Sequence, residues 1–490
     1  MKWRSGITVT LLSVVIAFCL FGQAVSSYYY SFHEFVAVLL SFQWILLACF
    51  AVWCGSFIFL TFSLNDLPLI ALLLIAMAAY FIGYTESSRA ADALILLAGV
   101  TLGKSAFVLL RRDEGGAAHF TRHSSLVTFL VGLITLLVFS SLWYLDMPGN
   151  FYHGSRWMGL WDNPNDYGML MGAGVVLAIG LRAGMQKEEC RMKNEGETLK
   201  SEKLKAEIFQ QSGKQKAERR NLFLRFLRFL VANTAWILGI AVFMLGVGLV
   251  MSYSRGAMLA TSVGLLYLAW SYGKLKWKYV VIGAGLGALG VLCLWGRTAD
   301  DGPWYLKRLD FSRPSAQHRV SAWRGAVQMM WDHPLGVGWN LAVSVYAKNY
   351  SPPEGGAAAL TMNSYLMLGT ELGLPGLVCF VAYVGLCISN RELRISKNRP
   401  HLTLTLSPPS GSGEGMSLVT CHSSLPTVCR AGAVVLLVAF WFDGGLFNLP
   451  TAAVFWILLE LGAEVRTSRC DVRTAQRTVP TNNECGALKS

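Results

Sequence analysis

Charge is what this chain has least of. Aspartate, glutamate, lysine and arginine make up 14% of its 490 residues against 54% hydrophobic ones, and stretches such as 35–65 carry no charge at all. Such stretches cannot supply a surface that faces water on all sides. Familiar catalytic signatures are missing too. There is no glycine-rich phosphate loop ending in Lys-Ser/Thr, no HExxH and no GxSxG, so neither cytosolic nucleotide-driven chemistry nor standard hydrolysis finds support. The eleven cysteines are scattered, none falls in 297–361 and no CxxC spacing occurs. That argues against both a disulfide framework in this stretch and a thiolate metal site, and neither a metal nor a cofactor is expected. No internal repeat is visible, and intramembrane charge is sparse, which speaks against an ion-coupled transporter built from two related halves.

What is present is a succession of apolar runs. Hydrocarbon offers no water to satisfy backbone groups, so a helix of roughly 20 apolar residues is the unit that crosses it. By that measure the chain is an all-α, polytopic integral membrane protein with about twelve transmembrane helices. They are expected at 7–25, 34–62, 67–84, 92–110, 124–145, 166–183, 229–252, 257–273, 279–295, 362–388, 431–446 and 450–464. The second is long enough to tilt or break, and 257–273 is short. Deep within these spans the charged groups are Lys104, Glu371, Asp443 and Glu460.

Lysine and arginine bias sets the orientation. With the amino terminus inside, the inner segments hold Lys2, Arg4, Arg111, Arg112, Arg122, the dense block of 182–228, Lys274, Lys276, Lys278 and the cations after 388. Both termini and 184–226 are then cytoplasmic, and 297–361, between spans nine and ten, faces the periplasm of a bacterial inner membrane. The net charge of +13 is mostly topological on this reading, and nucleic acid is not an expected partner. Residues 1–26 mimic a cleavable signal, although a retained first span suits a polytopic chain better. Three regions are expected: N-terminal transmembrane helices over 1–150, a second transmembrane domain over 151–465, and a disordered cytoplasmic tail over 466–490. The second domain includes a charged cytoplasmic linker at 184–228 and a turn-rich insertion of low complexity at 399–428.

Four polar motifs carry the candidate chemistry. Ser252-Tyr253-Ser254-Arg255-Gly256-Ala257 separates two apolar runs at the outer surface. Its arginine could grip phosphate through the planar guanidinium, with Gly256 letting the backbone pass close to a ligand, or it could snorkel at a helix end. Arg319, Trp323, Ala326 and Met330 recur at helical spacing before a turn over 332–338. This suits an amphipathic helix over the membrane mouth whose Arg319 or Arg324 approaches a lipid phosphate, or a surface helix paired to Asp310 and Asp332. Asn363-Ser364-Tyr365-Leu366 is followed by Glu371, which lines a cavity or caps a helix broken at Gly373-Leu374-Pro375. Arg156 and Trp157 precede Trp161, Asn163-Pro164-Asn165 forms a helix-start turn with Asn165 as a candidate cap, and both tryptophans read as interfacial anchors.

In this order, around a large outer loop, these motifs resemble the O-antigen ligase and polymerase superfamily of integral membrane glycosyltransferases. The residues concerned are Gly159 with Asn163-Pro164-Asn165, Ser254-Arg255-Gly256-Ala257, 319–338, and Asn363 to Leu366 with Glu371, Gly373 and Gly376, so the resemblance covers about 150–465. It implies transfer of a glycan from undecaprenyl pyrophosphate to a hydroxyl of a glycan, lipid or protein acceptor on the periplasmic side, without metal. It further implies that Arg255 and Arg319 neutralise the pyrophosphate leaving group. Arg156, Asn165, Ser254, Gly256, Arg324, Asn363, Tyr365 and Glu371 would contact substrate. Ligases of this family carry His immediately before Asn-Ser-Tyr-Leu, where this chain has Met362, which leaves His318 or His333 as candidate base. An exporter or flippase of lipid-linked polysaccharide, or a non-catalytic membrane scaffold, would share the spans and the outer arginines.

Overall fold

A computed structural model describes residues 12, 14–17, 19–20, 64–82, 90–111, 119–142, 151–152, 156–159, 161, 163–206, 236–273, 314–350, 363–389 and 425–463. They are almost wholly helical. A 3-10 turn at Leu64–Asp66 leads into α1 (Leu67–Ile82), followed by α2 (Ala90–Arg111) and α3 (His119–Leu142). A two-residue antiparallel pairing of β1 (Phe151–Tyr152) with β2 (Arg156–Trp157) precedes α4 (Pro164–Ala206). Next come α5 (Trp236–Met251) and α6 (Arg255–Ser271). The stretch after position 313 holds α7 (Pro314–Asp332) and α8 (Ala342–Asn349). The last four are α9 (Ser364–Glu371), α10 (Gly373–Ile388), α11 (Leu425–Ala439) and α12 (Leu449–Gly462).

The helices fall on the apolar runs because those runs are all backbone-satisfying helix formers. Expected spans 34–62 and 279–295 lie outside the described residues, as do Met362, 207–235 and the tail after 463. Among the described residues one helical segment, 164–186, is long and apolar enough to cross a membrane by length and composition, and six shorter apolar helical stretches accompany it. Two expected boundaries move. α4 runs on to Ala206, through the charged stretch expected to be a linker, since Lys, Glu and Met are good helix formers. The insertion expected over 399–428 ends earlier, because α11 begins at Leu425 and buries Leu425 and Val428.

α12 is the centre of the bundle, with every residue from Leu449 to Gly462 buried. It packs chiefly on α2, while α11 packs on α4, α6 and α12. Close approach at α2 is set by Gly103, where a Cβ would lie 2.7 Å from the Trp456 carbonyl oxygen. Small residues let helices meet at this distance where lipid supplies no hydrophobic drive between them. At the same interface Lys104 Nζ lies 2.5 Å from Asp66 Oδ1 and 3.1 Å from Glu460 Oε2. Tyr383 of α10 donates to Glu460. Lys104 and Glu460, two of the charges expected within spans, are therefore paired with each other and with Asp66, as burial in a low-dielectric interior requires.

α9 and α10 are one apolar run broken after Glu371, with Gly373 at φ +74. The loop that follows α7 is strapped into this break. Val337 and Gly338 donate to the Thr370 and Glu371 carbonyls at 3.0 Å, and Leu374 donates to Pro334 O at 3.0 Å. Gly336 and Gly373 meet backbone to backbone, so that a Cβ on either would lie 2.6 Å from the other's amide nitrogen. Through this clasp, the end of α7 is tied to the break.

Candidate functional site

The turn over 440–448, between α11 and α12, collects most of the polar motifs. Asp443 on it is 9% exposed. Its Oδ1 accepts from the Gly444 backbone at 2.7 Å, and its Oδ2 accepts from Asn165 Nδ2 at 2.6 Å. Asn163 Nδ2 lies 3.5 and 3.4 Å from the two oxygens. Asn165 in turn accepts from Arg156 Nη2 at 2.9 Å, and Arg156 Nε donates to the Ser252 carbonyl at 3.0 Å. A chain of hydrogen bonds thus links β2, the start of α4, the end of α5 and the 440–448 turn.

The local reasons are helix caps. Pro164 opens α4, and Asn163, not Asn165 as expected, is its cap: Asn163 Oδ1 accepts from the Asn165 amide at 2.9 Å. Asn165 therefore sits inside the first turn, where its side chain is available to Asp443. Ser254 caps α6, accepting from Ala257 N at 3.4 Å, after Tyr253 at φ +50 and a bond from the Ser254 amide to Ser252 Oγ at 3.1 Å. Arg255 is consequently the first residue of α6 and is exposed. Gly256 lies against Phe442, where a Cβ would be 2.7 Å from the Phe442 Cβ.

Asn363 caps α9 in the same way, its Oδ1 accepting from Tyr365 and Leu366 at 3.0 and 3.1 Å, while its Nδ2 is buried without a protein acceptor. Ser364 ties α9 to the turn, donating through Oγ to Asp443 O at 2.9 Å and through its amide to Phe440 O at 3.0 Å. The Tyr365 hydroxyl donates to Leu437 O at 2.7 Å, and its ring lies 5.7 Å from that of Trp441. Trp441 also meets Trp323 of α7 at 5.9 Å. One turn before Trp323, half-buried Arg319 lies close enough for its charge to act on Asp443.

The structure thus brings Arg156, Asn165, Ser254, Arg255, Gly256, Arg319, Asn363 and Tyr365 to one end of the bundle. Other expected site residues lie elsewhere. Arg324 is exposed on the outward side of α7. His333 is exposed beyond the end of that helix, roughly 20 Å along its axis from Arg319 at about 1.5 Å per residue. His318 precedes Arg319 in α7. Glu371, 1% exposed, sits at the far end of α9, where its Oε1 accepts from the Asn340 amide at 3.2 Å and its Oε2 has no hydrogen-bond partner. Its visible work is to hold the strapped loop. Trp161 is buried rather than interfacial, donating to Leu20 O at 3.0 Å. Among the described residues no group of three or more His, Cys, Asp or Glu is placed to hold a metal.

Residues 240–381 match a family model described as O-antigen ligase. Over that stretch, less than a third of its length, the chain is similar to the O-antigen ligase family. The matched stretch takes in the Arg255 turn, α7 and the Asn363 cap, and it is narrower than the range the motifs suggested. Arg156, Asn165 and Asp443 fall outside it, so geometry alone joins them to the site. Neither the comparison with curated proteins nor that with solved structures gave a match.

Proposed function

We propose that the protein moves a glycan from undecaprenyl pyrophosphate to an acceptor hydroxyl on the periplasmic face of the inner membrane, without a metal. The observation that carries this reading is the gathering of Arg156, the Arg255 turn and the Arg319 helix around the 440–448 turn: Arg156 is linked to Asp443 through Asn165, Gly256 packs on Phe442, and Trp323, one turn after Arg319, meets Trp441. In such a transfer the acceptor oxygen bonds to the anomeric carbon as the bond from that carbon to the pyrophosphate oxygen breaks. The electron pair leaves with the pyrophosphate, and the acceptor proton passes to a base. Arg255, at the positive end of α6, and Arg319 would stabilise the charge as it develops on the leaving group. Asp443 would act as a positioning residue, since its oxygens are engaged in holding Asn165 and through it Arg156. His318, adjacent to Arg319 in α7, fits the role of base better than the distant His333.

The test is turnover of a radiolabelled polyprenyl-pyrophosphate glycan in proteoliposomes. A two-pronged contact to phosphate requires the guanidinium fork, so Arg255→Lys should fail almost as badly as Arg255→Ala. A lost charged contact of this type costs on the order of 2 to 4 kcal/mol, a fall of roughly 30-fold to 1000-fold in turnover with membrane insertion preserved. Wild-type turnover by Arg255→Lys at saturating donor would reject this role and favour an exporter of lipid-linked polysaccharide.

A further inference from the structure

α7 has two unlike faces. Toward the bundle it turns Ala322, Ala326, Met329 and Met330, which pack with Ala342, Tyr346 and Leu366. At a helical rotation of about 100° per residue, Arg319 falls on that same face. Away from the bundle Val320, Arg324, Val327 and Trp331 recur at intervals of four, three and four residues, a single stripe. Val320 is 53%, Val327 43% and Trp331 72% exposed, and Leu335, just beyond the helix, is 80% exposed. A water-facing helix surface would be expected to carry charge at most of these positions. The stripe itself carries one cation among large apolar side chains, and exposed Gln328 and Asp332 lie at its edge.

The stripe does not stop at the end of α7. The clasp sets Leu335 beside Gly373, and α10 continues from there with exposed Pro375, Val378, Val381 and Leu386. α10 is an apolar helix of a membrane-type family, so this exposed face is the one that meets hydrocarbon. The apolar face of α10 and the stripe on α7 thus adjoin where Leu335 meets Gly373.

We propose that this outward face of α7 docks on the membrane surface, with Val320, Val327, Trp331 and Leu335 set into the boundary between headgroups and acyl chains and Arg324 against the phosphates of anionic phospholipid. Continuity with the α10 face selects lipid over a protein partner. The lone cation in the stripe matches an anionic headgroup layer, and tryptophan is the side chain most suited to that boundary. The inference does not depend on the glycosyl-transfer reading. Its consequence is positional: a helix lying in the headgroup layer keeps Arg319 on its inner side at the depth of lipid phosphate.

The test uses the full chain in vesicles of phosphatidylethanolamine and phosphatidylglycerol, with a photo-crosslinking amino acid placed singly at 327, 331 or 335. Position 378 serves as a lipid-facing control and position 326 as a buried one. Phospholipid adducts should form at 327, 331, 335 and 378 and not at 326. Arg324→Gln should lower the yield at 331 about fivefold in the anionic vesicles, the share of one arginine near a charged surface. Absence of lipid adducts at 331 and 335 while they form at 378 would overturn the proposal. So would adducts to a second copy of the chain, adducts that appear only after polyprenyl pyrophosphate is added, or an unchanged yield with Arg324→Gln. None of these readouts requires transfer activity, so the docking surface and the proposed reaction fail separately.

Discussion

A carboxylate that accepts from two asparagine side chains and a backbone amide is built to hold geometry rather than to exchange a proton. Asp443→Asn would set an NH2 donor against donors, at a cost of about 1–3 kcal/mol for each polar group left unpaired. Thermal denaturation in detergent should show that loss, and donor turnover should fall further than Asn163→Ala makes it fall, because the link to Arg156 runs through Asn165. The two histidines can be tested separately. His318→Ala should lower turnover by roughly the 100-fold or more typical of a lost general base, and His333→Ala should leave it near wild type. Equal losses would remove His318 from the reaction. Of these residues, Arg255 and Asn363 were legible in the sequence because a polar turn between apolar runs stands out. Asp443 stood out only as an acid in an apolar span. Its partners Asn165 and Asn163 lie 278 and 280 positions earlier, and no periodicity spans that separation.

At the scale of elements, apolar runs predicted helices well because a chain in hydrocarbon has few other ways to satisfy its backbone. The break between α9 and α10 was legible for a related reason: Gly-Leu-Pro interrupts the run, and Gly373 at φ +74 occupies a conformation that disfavours a side chain. The loop that fills the break was not legible, since its bonds to Thr370 and Glu371 are backbone bonds that any residue could make. Lys104 provides a sharper test of an element interface. Lys104→Met would leave Asp66 and Glu460 buried without the ammonium between them, and breaking such a pair costs about 3–5 kcal/mol. A matching loss in a detergent unfolding titration is expected. Near-neutral behaviour would mean that packing at the α2–α12 interface, Gly99 and Gly103 against Trp456 included, outweighs the ion pair.

For the molecule as a whole, the cation distribution predicts that 184–226 and both termini face the cytoplasm. A cysteine at position 210 should therefore resist membrane-impermeant labelling from the periplasm, and labelling there would reverse every span. The Arg156, Asn165, Ser254 and Asn363 motifs meet at the 440–448 turn, so they belong to the same end of the bundle. The low-complexity stretch before α11 gives a second test at this scale. Deletion of 401–424 should leave insertion and turnover nearly intact, since changing a loop's length twofold costs only about 0.6 kcal/mol. Extending the deletion to 428 removes buried Leu425 and Val428 from α11 and should reduce the yield of folded protein.

The meeting of Gly336 with Gly373 constrains how this molecule can change. Each glycine is the space the other's backbone occupies, so neither position can be rescued by shrinking its neighbour, which is already as small as a residue can be. Gly336→Ala and Gly373→Ala should each open the junction. Once one has done so, the second should add the cost of its own positive φ but little further steric cost, so the double variant should be less destabilised than the sum of the singles. Residues in direct contact commonly show such coupling at about 0.5–3 kcal/mol. A chain that loses one of these glycines is released from the close approach at the other but still needs a residue that tolerates positive φ there.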